Sequence, residues 1–299
     1  MTWKRVATAV VLIPCVVGLV LWGSTAVLAI GMALVILLAL FEFFALGDAI
    51  GHRAYRFWTA SCSLLLVFVQ WWTVGLPHLG YLGLPRRVGS NYPLIERVPM
   101  FLLQSPPSTG DVLFLFLLGV TVLTLWTKRA MVEALPAAGI SSSGLILVAF
   151  PLTFAIRLHG FPLEGPAILL FVLVITWVGD TAAYFVGRAI GKHKLAPILS
   201  PKKTWEGTIA SILGALLVAT VFARWLTVPL PHLLAMATVG NIAGQAGDLL
   251  ESAFKRSAGV KDSGTLLPGH GGVLDRIDAL ILAIPVVWYY WIWVYLPRR

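Results

Sequence analysis

The sequence predicts an all-α fold, a polytopic bundle of transmembrane helices, and three observations carry that prediction. Of the 299 residues 59% are hydrophobic, only 12% are charged, and the mean hydropathy is +0.89. A soluble domain carries about 25% charged residues, so a soluble globular enzyme is excluded. The apolar excess is divided into runs near the length of about 20 residues that crosses a bilayer as a helix. Cys15 and Cys62 both sit inside such runs, so neither a disulfide framework nor a CxxC metal site follows from them.

The first expected span, Val6 to Trp22, follows Lys4 and Arg5 as a signal peptide would, but no A-x-A site comes after it and a second span begins almost at once, so it is expected to be retained. Spans two and three run Thr25 to Phe44 and Phe57 to Val74, joined by a turn bearing Arg53 and Arg56. Residues 75–111 are rich in Pro and Gly, contain Arg86, Arg87, Glu96 and Arg97, and show no helical period. They read as an outer loop with no assigned function. Spans four and five, Val112 to Trp126 and Gly139 to Ile156, complete an N-terminal membrane region at 1–165. Spans six to nine run Ala167 to Tyr184, Thr208 to Trp225, Leu233 to Leu250 and Ile277 to Leu296, and make 166–299 the expected catalytic region.

Nine spans place the termini on opposite sides. With the N-terminus inside, the inner segments hold Lys4, Arg5, Arg53, Arg56, Lys128, Arg129, Arg188, Lys192, Lys194, Lys202, Lys203, Lys255, Arg256, Lys261 and Arg276, 15 of the 22 basic residues. The positive-inside rule therefore favours N-in, C-out, although Arg298 and Arg299 at the outer end count against it. The net charge of +9 also suits anionic partners such as headgroups, phosphates or nucleotides. No repeat of fixed spacing is visible, which weakens an inverted-repeat transporter.

Most of the polar information lies on the inner side of spans six to nine. The connection from Gly187 to Gly207 holds five basic residues, loop glycines, and the hydroxyls of Ser200 and Thr204. That composition suits a phosphate cradle with Lys202 and Lys203 as point charges; lysines that only fix topology and touch anionic headgroups are the alternative. The connection from Gly247 to Asp278 is denser, with Lys255, Arg256 and Lys261, then glycines around His270, then Asp275, Arg276 and Asp278. Asp275 and Asp278 share one face of one turn and can point at one ion, with helix capping as the alternative. Asp180 and Asp248 lie inside apolar spans near their inner ends, where carboxylates are costly and mark function, a structural ion pair being the alternative. Hard divalent cations take oxygen ligands and substrate phosphates complete the shell, so these residues suit a magnesium and phosphate site. Glu42, also within a span, has no such context; a helix–helix hydrogen bond is an option for it, and it is left unassigned. His270 lacks the His or Cys neighbours a metal needs, so a phosphate contact or loop hydrogen bond is expected.

The stretch Ser252 to Asp278 reads S-A-F-K-R, four residues, then K-D-S-G-T-L-L-P-G-H-G-G-V-L-D-R-I-D, and it resembles the signature of the phosphatidate cytidylyltransferases, or CDP-diacylglycerol synthases. Asp180-Thr-Ala-Ala-Tyr-Phe-Val-Gly-Arg188 and Ser200-Pro-Lys-Lys-Thr-Trp-Glu-Gly207 are similar to the same family, which has a glycine where this chain has Ala182. The resemblance implies transfer of a cytidylyl group from CTP to phosphatidate, with pyrophosphate released and divalent metal required, Mg2+ as one ion or two. It implies metal ligands at Asp248 and Asp275, with Asp278 and Asp180 as catalytic neighbours. Lys255, Arg256 and Arg276 are expected at the lipid phosphate or the leaving pyrophosphate. Substrate binding is assigned to Ser200, Lys202, Lys203, Thr204, Lys261, His270, Gly271 and Gly272. The expected partners are CTP, phosphatidate and membrane lipid, with no nucleic acid, and a homodimer is compatible with them. The expected location is the inner (plasma) membrane with the site facing the cytoplasm. A CTP-dependent polyprenol kinase is the first alternative and an ion-coupled transporter the second.

Overall fold

A computed structural model describes residues 2–79, 107–127, 130–266 and 271–298. His270 and most of the expected outer loop at 75–111 lie outside the described residues. Nine helices occur among those described: α1 (Thr2–Trp22), α2 (Thr25–Ala49), α3 (Arg56–Leu79), α4 (Thr109–Trp126), α5 (Met131–His159), α6 (Gly165–Ile190), α7 (Trp205–Phe222), α8 (Leu230–Ser257) and α9 (Leu274–Tyr290). Seven of them, α2 to α7 and α9, are long and apolar enough to cross a membrane, while α1 contributes the shorter apolar stretch Val10–Trp22. The remaining helix, α8, is long but the least apolar.

Local chemistry sets the boundaries. Ser24 caps α2 by accepting from the Val27 amide at 3.3 Å, and Ser108 with Asp111 forms a capping box on α4. The α5 helix begins at Met131, earlier than the expected Gly139, and carries a π-helical stretch at Gly144–Ala149 where Leu40 and Phe44 of α2 press on Gly144. The α8 helix continues to Ser257, past the expected Leu250, because apolarity stops at Asp248 while packing against α9 does not. Between α6 and α7 the expected loop contains a hairpin, β1 (Lys194–Ala196) against β2 (Ser200–Thr204), with Lys194 opposite Thr204.

Contacts between helix ends fix the alternation of the chain. At one end Thr25 meets His159 at 3.1 Å, Gln70 meets Thr109 at 3.3 Å and binds Arg157, Thr227 binds Glu164, and His232 meets Tyr290 at 2.9 Å. At the other end His52 meets Glu133 at 3.2 Å and Lys255 meets Asp275 at 2.6 Å. The start of α1 and the end of α9 therefore lie at opposite ends of the bundle. Two apolar clusters fill the interior, one among α6, α7, α8 and α9, the other among α2, α3, α4 and α5; α2, α5 and α9 contribute to both.

Candidate active site

At the end of the bundle where α9 begins, a cavity of about 430 Å³ opens among α6, α7, α8, α9 and the hairpin. The α6 helix supplies Asp180 and Tyr184, and β2 supplies Lys202, Lys203 and Thr204. From α8 come Gln245, Asp248 and Lys255, from α9 Asp275, Arg276 and Asp278, and from the turn between them Asp262. Four aspartates from three helices thus face one space. The close pairing of α8 and α9 depends on Gly247, where a Cβ would lie 2.4 Å from the Asp278 carbonyl oxygen. On the hairpin side Thr204 caps α7 by accepting from the Gly207 amide at 3.2 Å.

The charges are arranged in pairs with a surplus of acid. Lys203 Nζ lies 2.7 Å from Asp248, and Lys255 Nζ lies 2.6 Å from Asp275 while also binding Glu251. Asp275, with a side chain 6% exposed, accepts as well from the amides of Ser263 at 3.0 Å and Gly272 at 2.8 Å. Asp180, Asp248 and Asp278 repel one another, and Lys203, Lys255 and Arg276 offset that repulsion. The donor set facing the cavity is oxygen, the preference of a hard cation. Among the described residues no three His, Cys, Asp or Glu side chains are set to hold an ion by themselves. Mg2+ is ordinarily held by one or two carboxylates, water and substrate phosphates rather than by a protein cage, so these carboxylates fit an ion that arrives with a triphosphate.

Several expected residues have other engagements. Arg256 is exposed and donates to the carbonyls of Leu199 at 3.4 Å and Val260 at 2.9 Å. Ser200, Lys261, Gly271 and Gly272 do not line the cavity, although Gly272 holds Asp275 through its amide. The glycines of the hairpin segment are not loop donors as expected: Gly187 lies inside α6 and Gly191 ends it, and both make room for Thr204. Ala182 meets Gly214 of α7. Sequence reasoning missed Asp262, Gln245 and Tyr184 in the wall and Glu251 beside Lys255; Glu251 and Lys255 stand four residues apart on one helix and resemble an ordinary surface pair.

A second cavity, of about 480 Å³, runs between α1, α2, α6 and α9. Its wall is mostly aliphatic, with Leu12, Leu34, Leu38 and Leu173, and it shares Asp180, Asp275, Arg276 and Asp278 with the polar cavity.

The model of the Cytidylyltransferase family matches residues 3–294 of this chain. A phosphatidate cytidylyltransferase of Haemophilus influenzae is 32% identical over 300 residues, covering 97% of this chain and 99% of that protein. Proteins of the same name from Bacillus subtilis and Brucella suis are 37% identical over 173 residues and 41% identical over 182, covering 56% and 58% of this chain and 64% and 63% of their own lengths.

Proposed function

The chain belongs to the cytidylyltransferase family, and from that premise we propose that it transfers a cytidylyl group from CTP to phosphatidate, giving CDP-diacylglycerol and pyrophosphate. The observation that carries this substrate pair is the junction of the two cavities at Asp180, Asp275, Arg276 and Asp278. A triphosphate with its cation suits the polar chamber, where Lys202 and Lys203 stand beside the carboxylates, and acyl chains suit the aliphatic one, with the lipid phosphate between them.

In the reaction a phosphatidate oxygen attacks the α-phosphorus of CTP, an O–P bond forms, and the bridging bond to the β-phosphate breaks with its electrons leaving on pyrophosphate. A phosphate monoester has a second pKa of about 6 and needs no strong base at neutral pH. The barrier is the approach of anion to anion, so the protein's task is positioning and charge neutralisation. Lys202 and Lys203 hold the triphosphate, and Arg276, which lines both cavities, holds the lipid phosphate. Asp248 and Asp275 would hold Mg2+, beside Asp180 and Asp278, and the ion would supply charge neutralisation at the phosphates. Lys255, held between Glu251 and Asp275, orients a carboxylate rather than a substrate. The asymmetry of basic residues supports a site that faces the cytoplasm, and with it we place the protein in the inner membrane.

The test is CTP labelled at the α- or the γ-phosphate, with phosphatidate and Mg2+. Label from the α-position is expected in the chloroform-soluble product and label from the γ-position in water-soluble pyrophosphate. Lipid-bound γ-label identifies a kinase and overturns the reading.

A further inference from the structure

We propose that Glu42 of α2 is a positioning residue of the active site, holding the start of α9 and the turn before it and, through them, the orientation of Asp275. The inference rests on the reading of Asp275 as a metal ligand. Glu42 is 2% exposed in the middle of an apolar helix, a costly place for a carboxyl group without partners. Its partners come from the far end of the chain: the Val273 amide at 2.9 Å, the Leu274 amide at 2.8 Å and the Ser263 hydroxyl at 3.0 Å. The first amides of a helix have no acceptor within it, and Val273 supplies no side-chain cap, so Glu42 caps α9 from another helix.

Ser263 and the residue before Val273 also orient Asp275. Ser263 gives its hydroxyl to Glu42 and its amide to Asp275, at 3.0 Å in each case. Gly272 gives its amide to Asp275 at 2.8 Å, and the next two amides go to Glu42. Two carboxyl groups far apart in sequence therefore grip Ser263 and residues 272–274 together. Two signature glycines also acquire a reason: a Cβ would lie 2.6 Å from a Glu42 carboxyl oxygen at Gly264 and 2.3 Å at Gly272.

The test compares wild type, Glu42→Gln and Ser263→Ala in detergent, titrating Mg2+ against melting temperature and measuring kcat and KM. Glu42→Gln keeps the shape but turns one acceptor into a donor facing a donor. It is expected to need ~10-fold more Mg2+ for half-maximal stabilisation, the usual effect of losing a group that supports a ligand, and to lose kcat while the phosphatidate KM stays near wild type. Ser263→Ala is expected to shift the Mg2+ midpoint in the same direction by less, and it decides the matter should Glu42→Gln fail to fold. A lower melting temperature with wild-type Mg2+ midpoint and kcat makes Glu42 merely structural and overturns the proposal. A wild-type protein without any Mg2+-dependent shift sinks the metal reading of Asp275 instead. Hydrogen exchange at 271–278 then tests the grip alone: faster exchange in Glu42→Gln upholds it, and unchanged exchange overturns it.

Discussion

Helices α4 and α8 use opposite rules for what they turn inward. The α4 helix is apolar almost throughout, yet only Val112, Phe116 and Val120 are buried while Phe114, Leu117 and Leu125 face outward. The α8 helix is the least apolar, yet it buries Asn241, Glu251 and Ser252 and turns Asp248 toward the cavity. Each polar group inside has a partner: Asn241 donates to Ser211 at 3.0 Å, Gln245 to Asn241 at 2.8 Å, Asp248 pairs with Lys203, and Glu251 with Lys255. In a bilayer lipid is as apolar as leucine, so hydropathy does not tell the lipid face from the packed core, whereas a polar group needs a partner and lies inside. A polar, partnered face within a bundle is therefore where chemistry is to be sought.

Three substitutions break or sharpen that contrast. Asp275→Asn, on the polar side, is expected to lower turnover on the order of 10³-fold, because several kcal/mol of charge stabilisation is at stake. It should also lower the melting temperature, since Lys255 and the amides of Ser263 and Gly272 lose a charged acceptor. Near-normal turnover at ordinary Mg2+ removes Asp275 from the reaction. Leu117→Lys, at the middle of α4, is expected to cost about 3 kcal/mol of insertion and to reduce the membrane-embedded yield, with activity per folded molecule preserved. An unchanged yield means that this face does not meet lipid. Lys203→Ala removes one charge-assisted contact of about 1.5 kcal/mol and should raise the CTP KM ~10-fold, leaving the phosphatidate KM close to wild type. An unaltered CTP KM places the triphosphate elsewhere.

The order of the helices was legible because apolar runs broken by charge report membrane crossings directly. Asp180, Asp248, Asp275 and Asp278 were legible for the opposite reason: a carboxylate in an apolar context is expensive, and the structure brings all four to one cavity. The extension of α8 beyond Leu250 was hidden because its last turns are held by α9 rather than by lipid. The hairpin was hidden because five residues of Ser200–Thr204 carry no strand alternation. Glu42 shows the limit of local pattern most clearly. Its position signalled cost, but its partners lie more than two hundred residues away and nothing near it named them.

That distance has a consequence for how the protein is made. Glu42 enters the membrane with α2, and Ser263, Val273 and Leu274 follow 221, 231 and 232 residues later. At ~5–20 residues per second, synthesis leaves an interval of about 10–45 s in which this acid has none of its final donors. The α2 helix must spend that interval with its acid near water or headgroups, and it settles only when α9 arrives. Closing the contact is then a late act relative to insertion of α2, and the same contact arranges Asp275. Onset of catalytic competence thus waits on the arrival of α9, and a nascent chain stalled before it lacks the donors that Glu42 binds.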